Sequence, residues 1–188
     1  MLTVTYLYFS DRFVLYSSTF PEVSTSTSVV RDAVFSVTSS AYADGGSIPV
    51  AHTCDAKQIS PPLSIKGTPE NARSLVIIME DHDIPKNLKR DGTFLHWNVF
   101  NIPPETVEIA QGEIVGVQGA SGNGVSGYMG MCPPPQYEPT EHRYYLDLYA
   151  LDTTLELSEG ARVEDVRAAM DGHVLASTTL IGRYEREK

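Results

Sequence analysis

The chain is poor in cysteine, in positive charge and in long apolar runs. Its 188 residues include 2 cysteines, Cys54 and Cys132, and these do not form a Cys-x-x-Cys pair. That excludes a disulfide-scaffold miniprotein and a structural zinc site built on paired cysteines. It does not decide the redox compartment. Lysine and arginine number 14 against 24 aspartates and glutamates, for a formal net charge of −10. Such a field repels nucleic acid and anionic membrane surfaces at long range, so no nucleic-acid partner is expected. A small anion site stays compatible with it, because local donors outweigh a diffuse field. No stretch approaches the roughly 18 to 20 apolar residues of a membrane-spanning helix, so no transmembrane segment is expected. There is no internal repeat.

Against these absences stands a composition that is 41% hydrophobic and 20% charged, as in a folded domain. Residues 1–33 differ from the rest. "STFPEVSTSTSVV" is rich in serine and threonine and has no sustained period. "MLTVTYLYF" is apolar, but no basic residue precedes it and Asp11-Arg12 interrupts it. A secretory signal asks for a basic start, a longer apolar run and a small-residue cleavage site. We therefore read 1–33 as a flexible N-terminal extension and 34–188 as the domain. A cytoplasmic protein is expected, with export through a weak N-terminal signal as the alternative.

From residue 34 the chain reads as short strands between turn residues. "AVFSVTSSAY" alternates, and "RSLVIIME" (73–80) is a continuous run rich in β-branched residues, the pattern of a strand buried on both faces. "FLHWNVFNI" (94–102) is a strand stopped by Pro103-Pro104. "HRYYLDLYALD" (142–152) places Tyr144, Leu146, Leu148 and Ala150 on one face. "VEDVRAAMDGH" is helical, with Val163, Val166 and Met170 in register, acidic residues in the first turn and Gly172 after the end. A last strand, "HVLASTTLIGRY", comes after it. The expected fold is mainly β, an antiparallel sandwich of Greek-key type with one or two peripheral helices.

Two motifs compete in residues 121–145. Gly122-Asn-Gly124-Val-Ser-Gly127 fits the letters G-x-G-x-x-G of a dinucleotide loop. That loop must open a helix whose N-terminus holds the pyrophosphate. Here Tyr-Met-Gly-Met-Cys and three prolines come next, and prolines remove the amide donors a helix needs. No helix opens there, and the dinucleotide reading fails.

Polar residues gather in "EDHDIP" (80–85), "LHW" (95–97) and "MCPPPQYEPTEHRYY" (131–145). Asp-x-Asp-x-x-Pro, His-Trp with Asn-Ile-Pro, Gly-Tyr-x-Gly-x-Cys-Pro-Pro and His-Arg-Tyr occur in this order. Together with "YADGGSIPVAHTCDAKQISPPLS" and "GHVLASTTLIGRY", they resemble the phosphatidylethanolamine-binding protein family, above all its prokaryotic YbhB/YbcL-like branch. The resemblance covers about residues 34–188. It implies a small anion pocket, of phosphate or phospholipid-headgroup type, at one end of the sheet. Its lining would be Asp81, His96, the backbone around Gly130 and Cys132, His142 and Tyr144. Asp83 and Pro85 would shape the wall, and Pro133 and Pro134 would fix the loop. It places the loops of Cys54 and Cys132 near that end, with the sulfurs close together, and leaves open whether they bridge.

The residue types suit an anion. His96 and His142 each donate, doubly when protonated, and Tyr144 offers a hydroxyl. Asp81 beside an anion either orients an imidazole or, if buried, stays protonated and donates. His52, His82 and His173 read as structural or surface histidines. No cofactor and no metal are expected, since no ligand spacing is regular. The reading is a non-enzymatic binding protein, for which the resemblance implies modulation of a kinase or serine protease partner. The rival is a small hydrolase of phospho- or acyl esters using His96, His142 and Asp81. His82 between the aspartates and Met131 before the cysteine depart from the family pattern, where proline is usual, and put ligand preference in doubt.

Overall fold

The β-branched and aromatic runs all find partners. In a computed structural model of the chain, which describes residues 34–186, the strands are β1 (Ser36–Thr38), β2 (Gly46–Ser47), β3 (Leu63–Lys66), β4 (Ser74–Asp81), β5 (Phe94–Ile102), β6 (Glu108–Ile109), β7 (Val117–Gln118), β8 (Glu141–Leu151) and β9 (Val174–Glu185). One α-helix, α1 (Val163–Met170), and one 3-10 turn, Val50–His52, are the helical elements among the described residues. The expected extension 1–33, with its signal-like run, lies outside the described residues. No described helix is long and apolar enough to cross a membrane.

The strands form a 3-stranded sheet, β1-β3-β6, and a 6-stranded sheet, β2-β9-β8-β4-β5-β7. Every strand pair is antiparallel except β2 with β9. This is the mainly-β fold expected, with one α-helix of the one or two anticipated among the described residues.

β4 explains the two-sided burial of its sequence. Leu75, Ile77 and Met79 enter the main core with Leu146 and Leu148 of β8 and Trp97 and Val99 of β5. Val76 and Ile78 point the other way, into a second cluster with Phe100, Val166 and Met170, so α1 covers that face. The helix carries Glu164 and Asp165 in its first turn, where its dipole favours negative charge. Gly172 follows the C-cap residue Asp171 with φ 78°, as a left-handed C′ position requires.

The pairing of β4 with β5 carries an irregularity near its polar end. Between the pairs Met79↔Trp97 and Glu80↔Leu95 the register shifts, and His96 is the extra residue. A bulge re-aims a side chain. Here Trp97 stays on the core face, Leu95 turns to the outer cluster, and His96 reaches the core side between them.

Candidate functional site

At one end of the core face, the apolar rows of β4, β5 and β8 give way to polar residues. β4 continues Leu75, Ile77, Met79 with Asp81, and β8 continues Leu148, Leu146 with Tyr144 and His142. The alternation of β8 expected from sequence sets that row, and Asp81 pairs across to Tyr144. The four side chains are withdrawn from solvent: Asp81 is 2% exposed, His96 3%, His142 0% and Tyr144 0%.

Asp81 is held at both of its oxygens. Its Oδ2 lies 2.6 Å from His142 Nδ1, and its Oδ1 accepts the Asp83 N–H at 2.8 Å. Oδ1 accepts from the backbone, and Oδ2 is placed to orient the imidazole. Burial pulls the His142 imidazolium down. The hydrogen bond and charge of Asp81, with Asp83 behind it, outweigh that and raise His142 above the ordinary histidine value.

His96 is arranged the opposite way. The loop residue Met129 clamps it twice: the Met129 N–H donates to the His96 carbonyl at 2.8 Å, and His96 Nδ1 donates to the Met129 carbonyl at 2.9 Å. Phe94 and Tyr144 meet the ring edge-on, with centroids at 5.1 and 5.2 Å. Burial lowers His96 below the ordinary value, against the upward pull of the carbonyl and of Asp81. Two histidines on one patch are thus pushed apart in basicity by their surroundings.

Of four buried side-chain polar atoms without a hydrogen-bond partner among the described residues, two lie here, His142 Nε2 and the Tyr144 hydroxyl; the others are the Tyr42 hydroxyl and Asn98 Oδ1. An unmade buried hydrogen bond costs about 1–3 kcal/mol. Burial dominates in raising the Tyr144 hydroxyl above the usual phenol range, so it stays protonated. Sequence reasoning missed Tyr184. It pairs with His142 across β8 and β9, and its hydroxyl donates to Asp55 at 2.7 Å. The period of two in "HVLASTTLIGRY" carried that signal. The Met129 carbonyl had no signal in the sequence.

The loop expected beside the pocket is pinned from outside. Cys54 and Cys132 are bonded. The Cys54 N–H donates to the Met131 carbonyl at 3.0 Å. Gly130 permits that approach, because a Cβ there would stand 2.8 Å from the Thr53 carbonyl carbon. Its visible role is close packing. The Cys132 thiol is consumed in the bridge, and Pro133 beside it is buried. Met131, the departure from the family pattern, is buried in the core and takes a contact from the Tyr128 hydroxyl at 3.2 Å.

Asp83 stands at the rim. Arg143 grips it through Nε and a terminal guanidinium nitrogen at 2.8 and 2.6 Å, and the Arg143 backbone N–H adds a third bond. The guanidinium holds its carboxyl below the usual range. His82 stacks on Tyr145 at the surface, His52 hydrogen-bonds the Ile59 carbonyl, and His173 meets Asp152. Among the described residues no group of three or more metal-ligating side chains converges.

The glycines of the false dinucleotide motif form turns, and no helix opens after them. Gly122 packs against Phe94, where a Cβ would come within 2.8 Å of the ring. Since Phe94 meets His96, Gly122 is less neutral to the site than its loop position implies. Three cavities, of about 380, 440 and 350 Å3, lie apart from the polar end, beside the start of α1, beside its end and beside Trp97.

Comparison with known proteins gives consistent results. Residues 38–185 match the family model "Phosphatidylethanolamine-binding protein". A UPF0098 protein of Chlamydia trachomatis is 42% identical over 152 residues, 80% of this chain and 99% of the relative. Another, of Methanothermobacter thermautotrophicus, is 44% identical over 153 residues, 78% of this chain and 95% of the relative. The crystal structure of a phosphatidylethanolamine-binding protein homolog from Chlamydia trachomatis superposes with TM-score 0.76 at 41% identity, over 80% of this chain and 97% of that one. Escherichia coli YbcL gives 0.73 at 25% identity, over 82% and 100%.

Proposed function

The chain belongs to the phosphatidylethanolamine-binding protein family, and from that premise we propose that it is a non-enzymatic binding protein for a small phosphate-type anion. The observation that carries this reading is the pair of unpartnered buried polar atoms, His142 Nε2 and the Tyr144 hydroxyl, at one end of an otherwise apolar core face. An oxyanion arriving there gains a charged donor from His142, oriented by Asp81, and a hydroxyl from Tyr144. The groups are nearly closed to solvent, so entry needs a local opening. Cys132 and Gly130 would supply backbone to the loop beside the site, and Asp83, tied to Arg143, would brace the rim. Phosphate at ~100 times its dissociation constant should stabilise the fold by roughly 2.7 kcal/mol. His142→Ala and Tyr144→Phe should each weaken that response. An unchanged response in both variants would remove the site from this end of the sheet.

One observation favours a second reading. The Asp81–His142 pair has the geometry of an oriented catalytic histidine. Its raised basicity argues against it, because the more the surroundings favour the cationic ring, the smaller the share free to act as a base. Release of alcohol from simple phosphate or carboxylate esters, lost in His142→Ala, would establish the hydrolase instead. A protein partner of the kinase or serine protease type, which the family resemblance implies, would meet the rim around Arg143 and Asp83. Co-sedimentation with such a partner, abolished by Arg143→Glu, tests that extension.

A further inference from the structure

We propose that the site selects a phosphate that still carries a P–O–H group, inorganic phosphate or a phosphomonoester monoanion, over a phosphodiester headgroup or sulfate. The proposal rests on the anion reading above and narrows the ligand class.

The placement of the ring hydrogens decides which oxyanion fits. A backbone carbonyl only accepts, so the contact from His96 Nδ1 to the Met129 carbonyl at 2.9 Å puts a proton on Nδ1. In the neutral ring, Nε2 then carries a lone pair and accepts. The ring is 3% exposed and is met edge-on by Phe94 and Tyr144, surroundings that disfavour a second proton. His142 differs because Asp81 accepts from its Nδ1 at 2.6 Å while also accepting from Asp83 N–H. A carboxylate so placed favours the imidazolium, whose Nε2–H has no partner in hydrogen-bond geometry, although the Pro139 carbonyl stands close enough to favour the charged ring as well. The patch therefore presents one charged donor, one acceptor and one adaptable hydroxyl.

The complement of that set is an oxyanion with a bare oxygen for His142 and a hydroxyl for His96. Inorganic phosphate keeps a P–O–H as both its monoanion and its dianion. A monoester keeps one only below its second ionisation, near pH 6. A diester and sulfate have none at neutral pH. Each of those would set a bare anionic oxygen against the His96 lone pair, unless His96 took up a proton. The charged and titratable groups facing the two rings are Asp81 from β4, the other histidine and Tyr144 from the strands, Asp83 at the rim, and Tyr184 across from His142 on β9. The loop adds the Met129 and Pro139 carbonyls. The donor and acceptor pair persists between the lowered His96 value and the raised His142 value, a window that straddles the ordinary histidine value of about 6.5.

The test is calorimetric titration of the full chain with inorganic phosphate, methyl phosphate, dimethyl phosphate and sodium sulfate, from about pH 5.5 to about pH 7.5, in buffers of different ionisation enthalpy. Phosphate should bind throughout. Methyl phosphate should weaken as it loses its P–O–H. Dimethyl phosphate and sulfate should bind about tenfold more weakly than phosphate or worse, the cost of an unmade buried hydrogen bond. His96→Asn, whose amide turns either face to the ligand, should bring sulfate and phosphate toward parity. Sulfate or dimethyl phosphate binding as tightly as phosphate, with proton uptake, would overturn the selectivity and leave the anion site standing. Binding by none of the four would end both.

Discussion

The middle and the end of one core face are built from the same strands, yet they differ in what they need. In the middle, Ile77, Met79, Leu146, Leu148 and Trp97 bury apolar surface, and the one polar group, the Trp97 indole N–H, donates to Gln118 at 3.0 Å. At the end, Asp81, Tyr144 and His142 take the next places in the same rows, His96 joins them through the bulge in β5, and two buried polar atoms are left unmatched. Packing explains these middle side chains, although the Tyr42 hydroxyl of the same core cluster is also buried without a partner. Packing does not explain the end, where leucine or phenylalanine in place of His142 and Tyr144 would stabilise the fold more. A fold that keeps such groups buried carries a cost that a ligand can offset.

The largest way to sharpen the contrast is the covalent link outside the polar end. Replacing both Cys54 and Cys132 with serine reopens a connection across a sequence separation of 78 residues. Loop-closure entropy sets the loss at about 4–5 kcal/mol, to be read from urea unfolding. Met79→Ala, in the middle, should cost about 2–5 kcal/mol while the stabilisation produced by saturating phosphate stays as in the unmutated chain. Tyr144→Phe, at the end, should do the reverse, raising stability by about 1 kcal/mol and reducing the phosphate response. If Tyr144→Phe destabilised the protein and left the phosphate response whole, the end would be ordinary core.

A smaller effect separates the two histidines by pH. His142 is raised in the fold, so its contribution is present below the unfolded value and is lost as pH rises through its folded value. His96 is lowered, so the fold loses stability as pH falls from the unfolded value toward the folded one. Unfolding free energies measured from about pH 5 to about pH 8 should lose the alkaline decline in His142→Gln and the acid decline in His96→Gln.

Much of the fold is legible in the sequence, for identifiable reasons. The run 73–80 reads as a doubly buried strand because both of its faces are apolar, and β8 reads correctly because polar and apolar residues alternate through His142 and Tyr144. The helix at Val163 announces itself by spacing, acidic first turn and Gly172. The placement of His96 is not legible by period, since strict alternation puts it on the face opposite Trp97. Only the bulge at Met79/Glu80 brings it across. The grip of Arg143 on Asp83, the Cys54–Cys132 bond and the tight contact of Gly130 with Thr53 join residues distant in sequence, so no local pattern records them. The G-x-G-x-x-G letters mislead in the opposite direction, and the prolines after them are enough to correct the reading.

The most direct measurement is nitrogen NMR of the chain labelled at histidine, at neutral pH, before and after inorganic phosphate is added. The expected spectrum has a doubly protonated His142 and a His96 protonated on Nδ1 alone, with phosphate shifting the Nε2 resonances of both. A His142 with one bare nitrogen, or a phosphate titration that leaves both Nε2 resonances where they were, would contradict the assignment of the polar end as an anion site.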